Sequence, residues 1–123
     1  MNTQEVANKL VEYCRNNQFE KAYQELYSPD VISIEMSEPM KELHGMKEVE
    51  KKLQWRQENF EVEFTNISDP IVADNHFVLV LSLKSKNKST GEQAEIDEIG
   101  VYQVKNGKIL KEQFFYTSED SSF

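Results

Sequence analysis

The chain has 123 residues, enough for one domain around a single hydrophobic core. Hydrophobic residues make up 38% and charged residues 29%, which predicts a packed globule and excludes a disordered chain. A net charge of -8 leaves no basic surface for nucleic acid or an anionic membrane, so neither is expected as a partner.

Asn2, with Glu5 three residues on, reads as a capping box that starts a helix. Val6, Ala7, Leu10, Val11 and Cys14 form its apolar stripe at 3.6-residue spacing. Asn16-Asn17 interrupts, and Phe19, Ala22, Tyr23, Leu26 and Tyr27 form a second helical stripe. Ser28-Pro29-Asp30 is expected to end that helix, because proline disfavours helical geometry in the residue before it. Val31 to Met36 predicts a short β-branched strand, and Ser37 to Gly45 a polar loop. A third helix is expected from Met46 to Glu58, with Met46, Val49 and Leu53 inward and Glu48 and Lys52 paired on its outer side.

After Asn59 the period changes to two. Phe60 to Ala73 predicts a strand broken near Asp69-Pro70, since proline cannot donate to a ladder. Asp74-Asn75 is a turn, and His76 to Lys84 reads as a central strand apolar on both faces. Asn87 to Gly91 is a loop, and Glu92 to Val104 and Lys108 to Thr117 are the last two strands. Residues 1–117 are thus expected to form one α+β domain, a curved and mainly antiparallel sheet around three helices, with Ser118 to Phe123 as a frayed tail.

One cysteine, Cys14, allows no disulfide within the chain. The start MNTQEVANK carries no secretory signal, so the cytoplasm is the expected compartment. The longest apolar run, Phe77 to Leu81, is too short to span a bilayer. His44 and His76 make no metal motif, and no phosphate loop, dinucleotide fingerprint or zinc pattern is present, so no metal and no cofactor is expected.

The terminal hairpin raises the question of chemistry. Alternation puts Ile96, Glu98, Gly100 and Tyr102 on one face of their strand, and Leu110, Glu112, Phe114 and Tyr116 on one face of the next. A two-residue turn at Asn106-Gly107 would pair Tyr102 with Lys111 and separate the glutamates. A three-residue turn with a bulge at Gly107 would pair Tyr102 with Leu110 and bring Gly100 opposite Glu112. Two carboxylates held close in an apolar cavity would not both ionise readily, leaving an acid and a base in one site. The opposing reading is a solvated edge. Alternation alone puts Glu35 with Val31 and Ser33, opposite a face of Ile32, Ile34 and Met36 that reads as the core side. Trp55 lies off the helical stripe, as a packing residue or as a lid.

Several strings resemble the nuclear-transport-factor-2-like (NTF2-like, cystatin-like) superfamily, and within it the SnoaL-like and ketosteroid-isomerase-like group. They are Gln18-Phe19-Glu20 through Leu26-Tyr27-Ser28-Pro29-Asp30, then Ile34-Glu35, then His44-Gly45 before the third helix, then Val101 through Ile109. The resemblance runs from about residue 3 to 117 and implies a cone whose sheet and helices enclose a pocket. It implies that Glu35 is a proton shuttle at the end of the first strand, and it favours the bulged turn, with Glu98 and Glu112 in the cavity. Tyr102, Phe114 and Tyr116 would frame them, with Gly100 leaving room; His44 would lie near the cavity mouth, able to donate to a ligand, and Trp55 would meet the ligand if it is the lid and not a packing residue. The oxyanion pair of steroid isomerases is absent, with Leu10 and Gly100 at those positions. The expected activity is cofactor-free isomerisation, cyclisation or dehydration of a small apolar or carbonyl-containing molecule, with Glu35, Glu98 and Glu112 as acid and base. The alternative is a non-catalytic binding or dimerisation module. The outer hairpin face, with Ile99, Val101, Ile109 and Phe115, predicts a homodimer through the sheet.

Overall fold

The computed structural model describes residues 1–36 and 41–117. Helix α1 (Thr3–Arg15) opens with the expected capping box: Asn2 accepts from the Glu5 backbone, and Glu5 accepts from the Asn2 backbone. Its buried face is Val6, Ala7, Leu10, Val11 and Tyr13, with Cys14 half-buried at the border. Helix α2 (Phe19–Leu26) runs directly into strand β1 (Tyr27–Ile34), so Tyr27 belongs to a strand and not to the helix. Pro29 does not sit in a linker. It lies where the pairing of β1 shifts register between Tyr27 and Ile32, a stretch that needs no donor from it.

The expected loop at 37–45 contains a short strand, β2 (Glu42–His44), antiparallel to β1; residues 37–40 of that loop lie outside the described residues. Helix α3 (Met46–Asn59) buries Val49 and Leu53. The four remaining regions fold as β3 (Phe60–Ile67), β4 (Ile71–Ala73), β5 (His76–Asn87), β6 (Gln93–Lys105) and β7 (Lys108–Phe115). Both β3 and β4 pair with β5 along one edge, with the Asp69-Pro70 break between them. The expected frayed tail, 118–123, lies outside the described residues.

The sheet order is β2-β1-β7-β6-β5-β3, with β4 beside β5. All neighbours are antiparallel except β1 and β7, whose parallel pairing sets Ser33 beside Glu112. The helices cover one face only. Phe77, Leu79, Leu81 and Leu83 of β5 are therefore buried, while Val80 on the other face is 40% exposed. The expectation of two buried faces on this strand fails because, among the described residues, no second layer lies over the convex side. Val6, Leu26, Val31, Val49, Phe77, Leu79 and Ile109 form the centre of the core, on the concave face.

The hairpin turn combines parts of both sequence alternatives. Asn106 and Gly107 both have positive φ, 53° and 75°, as a two-residue turn requires. Lys105 pairs with Lys108 and Val104 with Ile109, and then the register slips so that Gln103 pairs with Lys111 and Tyr102 with Glu112. Leu110 is the extra residue of a bulge placed after the turn, not in it. Because of that slip both Ile109 and Glu112 point to the concave side. Ile109, expected on the outer face, is fully buried.

Candidate functional site

Beneath the helices, β1, β3, β5, β6 and β7 line a small cavity of about 60 Å³. That is room for about two waters, below the few hundred Å³ of a drug-sized pocket. Leu10, Phe19, Ala22, Phe64, Leu81 and Phe114 form its apolar wall. Glu35, Glu98, Glu112, Lys52 and Arg56 share the same space.

Glu112 is 2% exposed and tightly held. The Tyr27 hydroxyl donates to its Oε1 at 2.5 Å, and the Ser33 hydroxyl donates to its Oε2 at 2.7 Å. Lys52 Nζ lies 3.8 Å from Oε2. The same ammonium donates to Ser33 Oγ at 2.8 Å and to Glu35 Oε1 at 3.2 Å. The Tyr116 hydroxyl donates to the other Glu35 oxygen at 3.0 Å. Lys52 also lies 5.3 Å from the centre of the Phe114 ring, within cation–π range.

Lys52 was expected on the outer side of α3 with Glu48. Instead Glu48 accepts from the backbone of His44 at 2.9 Å, and Lys52 reaches into the cavity. Two carboxylates inside outweigh a single exposed i,i+4 pair outside. Glu35 likewise corrects the alternation reading. The face of β1 that turns inward is the one with Val31 and Ser33, both fully buried, and Glu35 continues it past the strand end. Met36 on the opposite face is 40% exposed.

Glu98 is 7% exposed. Burial pushes its carboxyl up from the usual 4.5 to about 8, with the negative charge of Glu35 adding to the rise; Arg56 and Lys52 oppose it and Glu112 adds a further small rise. Glu98 therefore carries its proton at neutral pH. Burial, then the charge of Glu112, also holds the hydroxyls of Tyr27 and Tyr102 well above the ordinary tyrosine range. The Cys14 thiol rises to about 12 for the same two reasons and stays protonated at neutral pH.

Tyr102 stacks on Phe77 at 4.7 Å and meets Phe114 edge-on at 6.1 Å. Its ring occupies the space expected to be left open at Gly100. A Cβ there would lie 2.9 Å from the ring, so Gly100 makes room for Tyr102 and not for a ligand. His44 is exposed and bonded to Glu42 at 2.8 Å, and it does not line the cavity. Trp55 packs against Phe60, with ring centres 5.7 Å apart, also away from the cavity wall. Tyr116 reaches the site through Glu35. Among the described residues, no three His, Cys, Asp or Glu side chains are placed to hold a metal ion.

Sequence reasoning missed Lys52, Arg56, Ser33 and Tyr27. A signal for the first two was present: at helical spacing Lys52 and Arg56 continue the inward line that starts at Val49. Ser33 and Tyr27 carried none, because only the parallel pairing of β1 with β7 brings them to Glu112.

A profile of the SnoaL-like domain matches residues 1–116. Among solved structures, a protein from Mesorhizobium loti provisionally assigned as a SnoaL-like polyketide cyclase is 36% identical; the match covers 94% of this chain and all of that one, with a TM-score of 0.89. A cystatin-like-fold protein of unknown function from Xanthomonas campestris is 19% identical, covered to 98% and 96%, with a TM-score of 0.81. A protein from Jannaschia, also provisionally assigned as a SnoaL-like polyketide cyclase, is 16% identical, covered to 96% and 88%, with a TM-score of 0.73. The last two likenesses concern fold alone. No curated protein matches the chain. With the profile spanning all of the elements described above and the Mesorhizobium structure superposing over nearly the full length, the chain belongs to the SnoaL-like domain family, on an NTF2-like fold.

Proposed function

We propose that this protein is a cofactor-independent proton-transfer enzyme of the isomerase, cyclase or dehydratase kind. It acts beside the carbonyl of a small, mostly apolar molecule. The observation that carries this reading is one cavity holding a carboxyl that keeps its proton to about pH 8, Glu98, beside a lysine-bound carboxylate, Glu35. An acid and a base of the same residue type, separated by environment, suit proton transfer at neutral pH.

Glu35 would take the proton from the carbon next to the carbonyl. Each of its oxygens accepts one hydrogen bond and keeps a free lone pair. Glu98 would give its proton to the carbonyl oxygen as the C–H bond breaks, so an enol forms and no free charge builds up. Lys52 would stabilise the oxygen during transfer, in place of the oxyanion pair found in steroid isomerases. Return of the two protons at other positions completes an isomerisation; attack of the enol carbon on a second carbonyl completes a cyclisation. Glu112 is the holder of Lys52 on this reading and not the base, because its side chain is 3% exposed against 17% for Glu35 and so is the less accessible to a ligand. The likeness to the Mesorhizobium protein, itself provisionally assigned as a polyketide cyclase, supports the cyclase form of this reading. The rival is a non-catalytic small-molecule-binding or dimerisation module, and the small size of the cavity favours its dimerisation form.

Hydrogen–deuterium exchange at the carbon beside the carbonyl, followed by NMR over a panel of small ketones, tests the catalytic reading. Exchange above the buffer rate is expected, and Glu35→Gln should lower it by about 10²–10⁴ with folding intact. No exchange with any ketone, or exchange unchanged in Glu35→Gln, would overturn it.

A further inference from the structure

Two acidic or basic side chains of the cavity wall lack a hydrogen-bond or ion-pair partner among the described residues. Glu98 makes no hydrogen bond or ion pair among the described residues, and neither does the guanidinium of Arg56. The other charged groups of the cavity are committed. Glu112 accepts from Tyr27 and Ser33, and Glu35 accepts from Lys52 and Tyr116. Arg56 is thus a half-buried cation on α3 with no ion pair among the described residues, in a cavity where three carboxyls are nearby. Its charge lowers the pKa of Cys14 on α1, Tyr23 on α2 and Glu98 on β6, so it is felt from three walls. A partly desolvated guanidinium is costly without an anion, and its planar fork fits a carboxylate with two parallel bonds.

We propose that Arg56 is a carboxylate subsite at the edge of this cavity: the molecule bound here carries a carboxylate, clamped by the half-exposed Arg56 guanidinium outside the 60 Å³ space, with only its carbonyl end inside, beside Lys52 and Glu98. The position of the carbonyl rests on the catalytic reading above; the carboxylate subsite does not. Arg56 and Lys52 are four residues apart on one helix, a rise of about 6 Å. A keto acid with two or three carbons between its carboxylate and its carbonyl spans a comparable distance. Glu98 must keep its proton for such an anion to bind well. The charged and titratable groups that bear on Glu98 are Glu35, Lys52, Arg56, Glu112 and Tyr102. Of these only Lys52 and Arg56 oppose a second anion's repulsion, so affinity should fall as pH rises past about 8.

The test compares levulinate with its methyl ester, in which a neutral ester takes the place of the carboxylate and the ketone end is unchanged. Calorimetry or NMR titration at pH 7 should show levulinate binding about ten-fold or more tightly than the ester. Arg56→Gln should level the two. In the unaltered protein, the Arg56 Nε–H signal should shift with levulinate and stay put with the ester, which keeps the test valid if the variant folds poorly. Equal affinity for the two, no binding of levulinate at tens of millimolar, or an undiminished preference in Arg56→Gln would each overturn the subsite. A carboxylate preference without any turnover would overturn the catalytic reading alone. Turnover of the ester with no carboxylate preference would overturn the subsite alone.

Discussion

Glu98 couples the site to the stability of the fold. The native state holds its proton up to about pH 8, whereas a carboxyl of the unfolded chain gives it up near 4.5. The stabilising contribution is therefore complete below 4.5 and is lost as pH rises to about 8. Urea denaturation should show stability falling through that window, with a slope of at most about 1.4 kcal/mol per pH unit. Glu98→Gln should flatten the profile and be the more stable protein above pH 8; parallel profiles for the two would show that Glu98 does not hold the proton. Lys52 makes the opposite kind of contribution. It is the cation shared by Glu35, Ser33 and Glu112, and its side chain is 11% exposed. Lys52→Met leaves a buried carboxylate without a charge partner and should cost about 3 kcal/mol. The double change Lys52→Met with Glu112→Gln should recover part of that loss, because the uncompensated charge is gone. Simple additivity of the two losses would mean that Lys52 and Glu112 do not depend on each other.

At the scale of elements, the β6–β7 hairpin decides what the site contains. Its turn demands positive φ at two successive residues, which Asn and Gly accept. Gly107 is further confined, since a Cβ would stand 3.1 Å from the backbone oxygen of Met1. Gly107→Ala should destabilise the protein by about 1–2 kcal/mol in chemical denaturation, through strain in the turn and crowding at the N-terminus. A neutral substitution would show that the turn relaxes freely. The bulge at Leu110 then sets the face of everything downstream. Without that extra residue in the ladder, the same turn would pair Tyr102 with Lys111 and turn Glu112 outward.

At the scale of the whole molecule, the single helical layer leaves the convex face of the sheet open among the described residues. Val80, Ile99 and Phe115 are directly paired across β5, β6 and β7 and are 40%, 45% and 44% exposed. Val78 and Val101 extend the row half-buried. A connected apolar row of this kind is proposed as the contact of a two-fold homodimer. Sedimentation should give about twice the 14.4 kDa chain mass, and Ile99→Lys should give a folded monomer. A monomeric parent protein, or a dimer indifferent to Ile99→Lys, would reject this face as the contact. No helix among the described residues is long and apolar enough to cross a membrane.

Local chemistry by itself determined the helices, the break at Asp69-Pro70, the positive-φ turn and the family. Each rests on neighbours within a few residues: a capping box, a 3.6-residue stripe, a proline without a donor, an Asn-Gly pair. The fold class was legible for the same reason. The contents of the cavity were legible only in part. Glu98 and Glu112 could be suspected because alternation puts them with aromatic residues. That Glu112 faces inward was decided by a bulge whose position no local rule sets. That Val31, Ser33 and Glu35 form the inner face of β1 was decided by its parallel partner, against the hydrophobicity of Ile32 and Ile34. Lys52 looked like half of a surface pair because helix neighbours are visible in sequence, whereas the carboxylates that claim it are distant in the chain: Glu35, just past the end of β1, is 17 residues behind it and Glu112, on β7, is 60 ahead. Charge pairing in a cavity acts through space and depends on burial, and burial exists only once the sheet has curved over the helices.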